Sequence, residues 1–247
     1  MERTLILFFA TLMVFGTSGV QAQFSFATNV TVNITRTGCG STKLCVQQPN
    51  ACDPAGSSGC LFGSSAVVNA TANDFFFQLS GNVTGNSTEF VALQLNPNST
   101  TNAGLIFACI QNNSTFSFQT FMMNSAGNVT RFNRTVTQIR GLANTTKIQC
   151  EFSVANLTVS GTASLLRSQD NAFSFSLASG TLNGESLVFA QTFRAGVLDL
   201  ANPTANVANT TTAPNTTTPA SGSNRALHSE GVLLLTGILS LAFLKTA

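Results

Sequence analysis

The chain has no tryptophan, no tyrosine, a single histidine and only 8% charged residues. Each shortage closes a class of function. Without tyrosine or tryptophan, no binding face offers an aromatic hydroxyl or an indole N–H. The one histidine, His228, stands near the C-terminus, so a serine nucleophile in the body of the chain would lack its usual base. The acids of that body, Asp53, Asp74, Glu89, Glu151, Asp170, Glu185 and Asp199, are scattered singly rather than paired as acid–base chemistry requires. The glycines of Gly38-Cys39-Gly40 flank a cysteine and have no phosphate-cradle context. These absences predict a protein that is not an enzyme, with no catalytic residue, no metal ligand and no cofactor.

Long hydrophobic runs are also missing. Two shorter ones stand at the ends, each below the roughly 20 residues that a bilayer span needs. At the start, Arg3 precedes an apolar run from Leu5 to Phe15, then small residues lead to Val20-Gln21-Ala22, the pattern of a signal peptide cut after Ala22. At the end, Gly231 is followed by VLLLTGILSLAFLKTA, preceded by a polar spacer and the small trio Ser221-Gly222-Ser223. Small acceptor residues, a spacer and a greasy tail form the signal for transfer to a glycosylphosphatidylinositol lipid. Ser221 is the expected attachment residue and 222–247 the discarded propeptide, with a retained short membrane helix as the alternative. The expected location is the outer face of the plasma membrane, reached through the secretory pathway.

Between those cuts there are eight basic and seven acidic residues. So even a balance gives no electrostatic reason to expect a nucleic-acid partner. What hydrates the surface instead is written in the asparagines. N-x-S/T acceptor triplets stand at Asn29, Asn33, Asn69, Asn82, Asn86, Asn98, Asn112, Asn113, Asn128, Asn133, Asn144, Asn156, Asn209 and Asn215, with Asn112 and Asn113 overlapping. At this density a coat of N-linked sugars replaces charge. From Ala201 the texture turns to Thr, Asn, Ala and Pro, which cannot bury a core and reads as a glycosylated stalk over 201–221.

An oxidising compartment sets the reading of the six cysteines. Cys39, Cys45, Cys52 and Cys60 are separated by five, six and seven residues, which suits neither C-x-x-C redox chemistry nor paired zinc ligands. Two disulfides within this segment are expected, in any of three pairings. Cys109 and Cys150, each inside an apolar run, are left for a third.

Residues 23–200 alternate apolar and polar side chains with period two. FSFATNVTVNIT, TFSFQTFMM, KIQCEFSV and AFSFSLAS are the clearest runs; DFFFQLS, EFVALQL, GLIFACIQ and ESLVFAQTF are shorter. Nine or ten short strands predict an all-β fold of two packed antiparallel sheets, a sandwich with a core built largely from the chain's 21 phenylalanines.

The order of several motifs resembles the DOMON domain family. They are Cys39-Gly40-Ser41-Thr42-Lys43 with Cys45, then Asn50-Ala51-Cys52-Asp53-Pro54, EFVALQL, GLIFACI, TFSFQTFMMN, KIQCEF and SFSLASGTLNGESLVFA. The resemblance runs over about Thr37 to Phe193 and is strongest toward the domains of ferric-chelate reductase 1 and its 1-like relative. It implies an immunoglobulin-like sandwich. In members that carry electrons, it also implies a b-type haem held by one methionine and one histidine. This chain has Thr101-Asn102-Ala103-Gly104 where the methionine turn would fall, and Phe189-Ala190-Gln191 where the histidine would fall. Met122 and Met123 lie in a later run and read as core filler. The resemblance thus implies a domain that has lost its haem ligands and binds an unknown extracellular ligand or membrane protein. Two alternatives stand beside it: a haem-binding electron-transfer domain with unexpected ligands, and an auxiliary factor associated with a membrane receptor of the glutamate type.

Overall fold

The computed structural model describes residues 24–28, 31–57, 59–85, 87–97, 102–157 and 172–205. The signal peptide, Ser221, the propeptide, most of the stalk, and Asn29, Asn86, Asn98, Asn209 and Asn215 lie outside the described residues.

Among the described residues, twelve strands form two six-stranded sheets. The first sheet contains β1 (Phe24–Phe26), β9 (Val136–Ala143), β10 (Lys147–Val154), β4 (Asp74–Asn82), β3 (Leu61–Asn69) and β2 (Leu44–Gln48), in that spatial order. The second contains β12 (Ser186–Asp199), β11 (Ala172–Asn183), β5 (Glu89–Asn96), β6 (Gly104–Asn112), β7 (Thr115–Met123) and β8 (Val129–Arg131). The predicted all-β sandwich is therefore present. One pairing departs from the antiparallel expectation: β1 runs parallel to β9, with Phe24 opposite Val136 and Phe26 opposite Ile139. Beyond Ala27 the first apolar run leaves the sheet, and Ile34 is buried against the cysteines instead.

Period-two alternation sends Phe75, Phe77 and Leu79 of β4 and Ile148, Cys150 and Phe152 of β10 to the inner face of the first sheet. They meet Val91, Leu93, Leu95, Phe107, Cys109, Phe118, Phe175 and Leu177 from the second. The centre is aromatic. The ring of Phe152 lies 5.5 Å from that of Phe77, 5.3 Å from Phe107 and 4.9 Å from Phe118. Gly141 of β9 makes room for a further ring, since a Cβ there would sit 2.2 Å from Phe116. Cys109 of β6 is bonded to Cys150 of β10, so the third bridge crosses the core and ties one sheet to the other.

The other faces of the two sheets are treated differently. On the first sheet the outward residues Cys45 and Phe62 carry a small third layer with Ile34, Cys52 and Cys60. Its loop is tacked down by Lys147, whose Nζ donates to the carbonyls of Pro54 and Gly56, and by Gln149, whose Nε2 donates to Pro54 O at 3.1 Å. On the second sheet, residues from neighbouring strands form a separate cluster of their own, described next.

Candidate functional site

The pairings within Cys39–Cys60 are sequential: Cys39 with Cys45 and Cys52 with Cys60. Of the three pairings the spacing allowed, this is the one that closes the smallest loops, and it leaves no free cysteine among the described residues. Beneath the stapled layer runs a polar row that sequence reasoning missed. Ser64, Gln78, Glu151 and Arg140 stand directly opposite one another on β3, β4, β10 and β9. Arg140 Nη1 donates to Glu151 Oε1 at 2.8 Å, and Gln78 Nε2 donates to Oε2 at 3.3 Å. Lys43 joins from above, its Nζ 2.9 Å from Gln78 Oε1 and 2.7 Å from Thr35 O. Burial lowers the Lys43 pKa, and the Glu151 carboxylate opposes that shift. Only Gln78 stands as a single polar interruption of an apolar run; β3, β9 and β10 each carry several polar residues, so the row had no clear signal in the sequence. Its hydrogen bonds through Lys43 make it a fastening for the 31–43 segment, although the buried Arg140 Nε has no partner.

The described acceptor asparagines Asn33, Asn69, Asn112, Asn113, Asn128, Asn133, Asn144 and Asn156 are all exposed, and each stands in a turn, a connector or a strand end. Two are arranged in a way that suits modification. Asn69 Oδ1 accepts from the N–H and hydroxyl of Thr71 at 3.1 and 2.8 Å, and Asn144 Oδ1 from those of Thr146 at 2.9 and 3.0 Å. In each the triplet's own hydroxyl holds the amide oxygen, which turns Nδ2, the atom that carries a sugar, away from that contact. Asn82 differs: it is half-buried at the end of β4, and its Oδ1 accepts from the Cys60 N–H at 3.5 Å. Enzymatic removal of N-linked sugars from the full chain is expected to lower its mass by many glycans and to cause aggregation, because few charges remain to hydrate it. A loss matching one glycan on intact-mass measurement would refute the coat.

The outer face of the second sheet is laid out in cross-strand rows. One reads Phe189, Gly180, Phe90, Ile110; the next Thr192, Ala178, Ala92, Ala108, Gln119; the third Arg194, Ser176, Gln94, Ile106, Phe121. A fourth places Val197 and Ser174 beside Asn96. Phe90, Ala92, Ile106, Ala108, Ile110, Phe121, Ala178 and Leu187 are all buried and form a second, smaller core. The sheet's own curl encloses it. A bulge at Ser179/Gly180 bends the β11–β12 hairpin, where a Cβ on Gly180 would sit 2.0 Å from Val188 O. The hairpin then reaches β8, and Arg131 Nη1 meets Glu185 Oε1 at 3.3 Å. Phe189 stands edge-on to Phe90 at 5.6 Å.

Beside this apolar patch lies a polar strap. Arg194 Nη2 donates to Asn102 Oδ1 at 3.3 Å, and Gln94 Nε2 donates both to Asn102 O at 3.1 Å and to Met123 Sδ at 3.5 Å. The hydroxyls of Ser174 and Ser176 are buried with no hydrogen-bond partner, so nothing activates either as a nucleophile.

No family model matches the chain, and no curated protein does. Among solved structures, one match is the cytochrome domain of Myriococcum thermophilum cellobiose dehydrogenase. The two are 14% identical, with a TM-score of 0.48, covering 72% of this chain and 92% of that one.

Whether a haem fits here turns on the donors present. Iron in a porphyrin takes its protein ligands from histidine, methionine, cysteine or tyrosine. Residues 24–205 contain no histidine, the chain has no tyrosine, and the cysteines are all in disulfides. Met122 packs against the main core, and Met123 packs against the second core with its sulfur taken by Gln94. Of the two segments where the resemblance puts the ligands, one offers Asn102, bound to Arg194, and the other Phe189, stacked on Phe90. This donor set does not fit a haem.

Proposed function

We propose that the protein is a non-catalytic, lipid-anchored glycoprotein of the outer cell surface, whose DOMON-type sandwich binds an extracellular ligand or a membrane protein. The observation that carries the reading is the placement of the acceptor asparagines. Sequence alone scatters them along the chain, whereas the fold leaves every described one but Asn82 exposed at turns, connectors or strand ends. Three disulfides support the same extracellular setting. The kinship with ferric-chelate reductase, and the receptor-associated role that its 1-like relative implies, rest on the motif order from Cys39 to Phe193. Electron transfer is the weaker alternative, because its cofactor finds no ligand pair; purified protein showing a Soret band would restore it.

The anchor is tested on intact cells. Phosphatidylinositol-specific phospholipase C is expected to release the protein, with the new C-terminus at Ser221 by mass spectrometry. Retention after verified enzyme action, with peptide 222–247 still attached, would sink the lipid anchor.

A further inference from the structure

The acceptor triplets leave two long gaps, one from Ile34 to Val68 and one from Leu157 to Ala208. These gaps are far apart in sequence and adjacent in the fold. The first contains β2 and most of β3, the second contains β11 and β12, and β11 touches both β2 and β3 across the sandwich. Among the described residues, that side of the molecule carries no acceptor asparagine.

That side ends in the longest strand, β12, which is paired on one side only. The other three sheet edges are blunted. β1 and β8 have three residues each, and β2 has five, followed by Pro49 and flanked by the stapled loops. Along β12 the rows place Arg194 opposite Ser176, Val197 opposite Ser174 and Asp199 opposite Ala172, so the three share the outer face. Val197 is 47% exposed. Arg194 and Asp199, also exposed, stand one row to either side of it, each about 7 Å away. Arg194 has no acid partner among the described residues; one of its terminal guanidinium nitrogens donates to Asn102 Oδ1 at 3.3 Å and the other is left for a carboxylate, while Asp199 spends one oxygen on the Ala201 N–H at 2.9 Å.

We propose that two copies of the chain meet through β12 about a twofold axis at Val197. A basic, an apolar and an acidic residue at equal spacing form a self-complementary pattern. When turned through the twofold, Val197 meets Val197 and each Arg194 meets the other copy's Asp199. The bulges at Ser174/Ser176 and Ser179/Gly180 interrupt the free edge of β12. Contact is thus made by side chains in a closed pair and does not extend as an open ladder. The proposal rests on reading the chain as a surface glycoprotein, since only a sugar coat elsewhere makes this side special.

The test uses the full chain at the cell surface. Val197→Cys is expected to yield a disulfide-linked dimer on non-reducing gels, whereas Val188→Cys, also on β12, 51% exposed and away from the axis, is not. Within the Val197→Cys chain, Arg194→Asp or Asp199→Arg alone should lower the cross-linked fraction roughly tenfold, and combining them should restore it. An independent arm needs no added thiol. Ala190→Asn creates an acceptor triplet with Thr192, and its glycan should abolish pairing by single-molecule brightness, while Ala190→Gln should not. Equal cross-linking at positions 188 and 197, indifference to charge reversal, or pairing that survives a verified glycan at position 190 would each overturn the proposal. The deglycosylation mass shift judges the underlying reading separately: a sugar-coated chain that gives no Val197 cross-link refutes the dimer alone.

Discussion

Replacing Cys109 and Cys150 together with alanine is expected to cost about 4 kcal/mol of stability, the chain-entropy value for a loop of this length. The bridge spans 41 residues and joins the two sheets through side chains that are fully buried. The same double replacement at Cys39 and Cys45, which are 6 residues apart, should cost about 2 kcal/mol. Against a total stability of about 5–15 kcal/mol, the first change brings the domain near its folding limit, while the second leaves it folded. Urea midpoints of the glycosylated, phospholipase-released protein measure both. An equal or reversed order would mean that the stapled layer, and not the bridge across the core, holds the sheets together.

Phe152→Ala should cost about 3–5 kcal/mol and prevent delivery to the surface at growth temperature. Its ring is fully buried and sits within 5.5 Å of three others, so its removal leaves a void between the two sheets that no neighbour fills without losing its own ring contacts. Phe26→Ala provides the contrast, because Phe26 is 54% exposed on the short strand β1 and should be close to neutral. Comparable losses at the two positions would place the core elsewhere.

Two of the clearest alternating runs were legible as strands to the residue, whereas FSFATNVTVNIT forms a strand only over Phe24–Phe26. TFSFQTFMM is β7 and KIQCEFSV is β10; apolar residues stand at every second position of β10, and in β7 only Thr120 breaks the series Phe116, Phe118, Met122. β2, β3, β8 and β9 were not legible. LCVQQ and VTQIRGLA hold too few large apolar residues to display a period, and a register shift in the pairing of β9 with β10 disturbs the alternation further. Glycine and serine at positions 63–65 hide β3 in the same way. The disulfide pairing was open because three connectivities fit one spacing, and only the fold brings Cys45 up beside Cys39. The second core was invisible for a different reason. Phe90, Ala92, Ile110 and Ala178 look like ordinary outward residues until the sheet curls over them, and that curl depends on a bulge at Gly180 and on a contact between strands at opposite edges of the sheet.

The described residues end at Ala205, just beyond β12, with Ala201 and Ala205 still packed against the main core, and this arrangement has a mechanical side. A pull on the C-terminal side first meets the packing of Ala205 and Ala201 on the core, then the Ser65 hydroxyl bonded to Leu200 O at 3.2 Å and the buried side chains of Leu200 and Leu198. Once those plugs yield, the load falls on a strand held by a neighbour on one side only, which peels away rung by rung without shearing all its bonds together. The Cys109–Cys150 bridge ties β6 to β10 and lies off this path, so it braces nothing against such a pull. The sandwich would therefore give first under tension at its last strand, with the rest of the barrel-like second sheet and the stapled layer left standing.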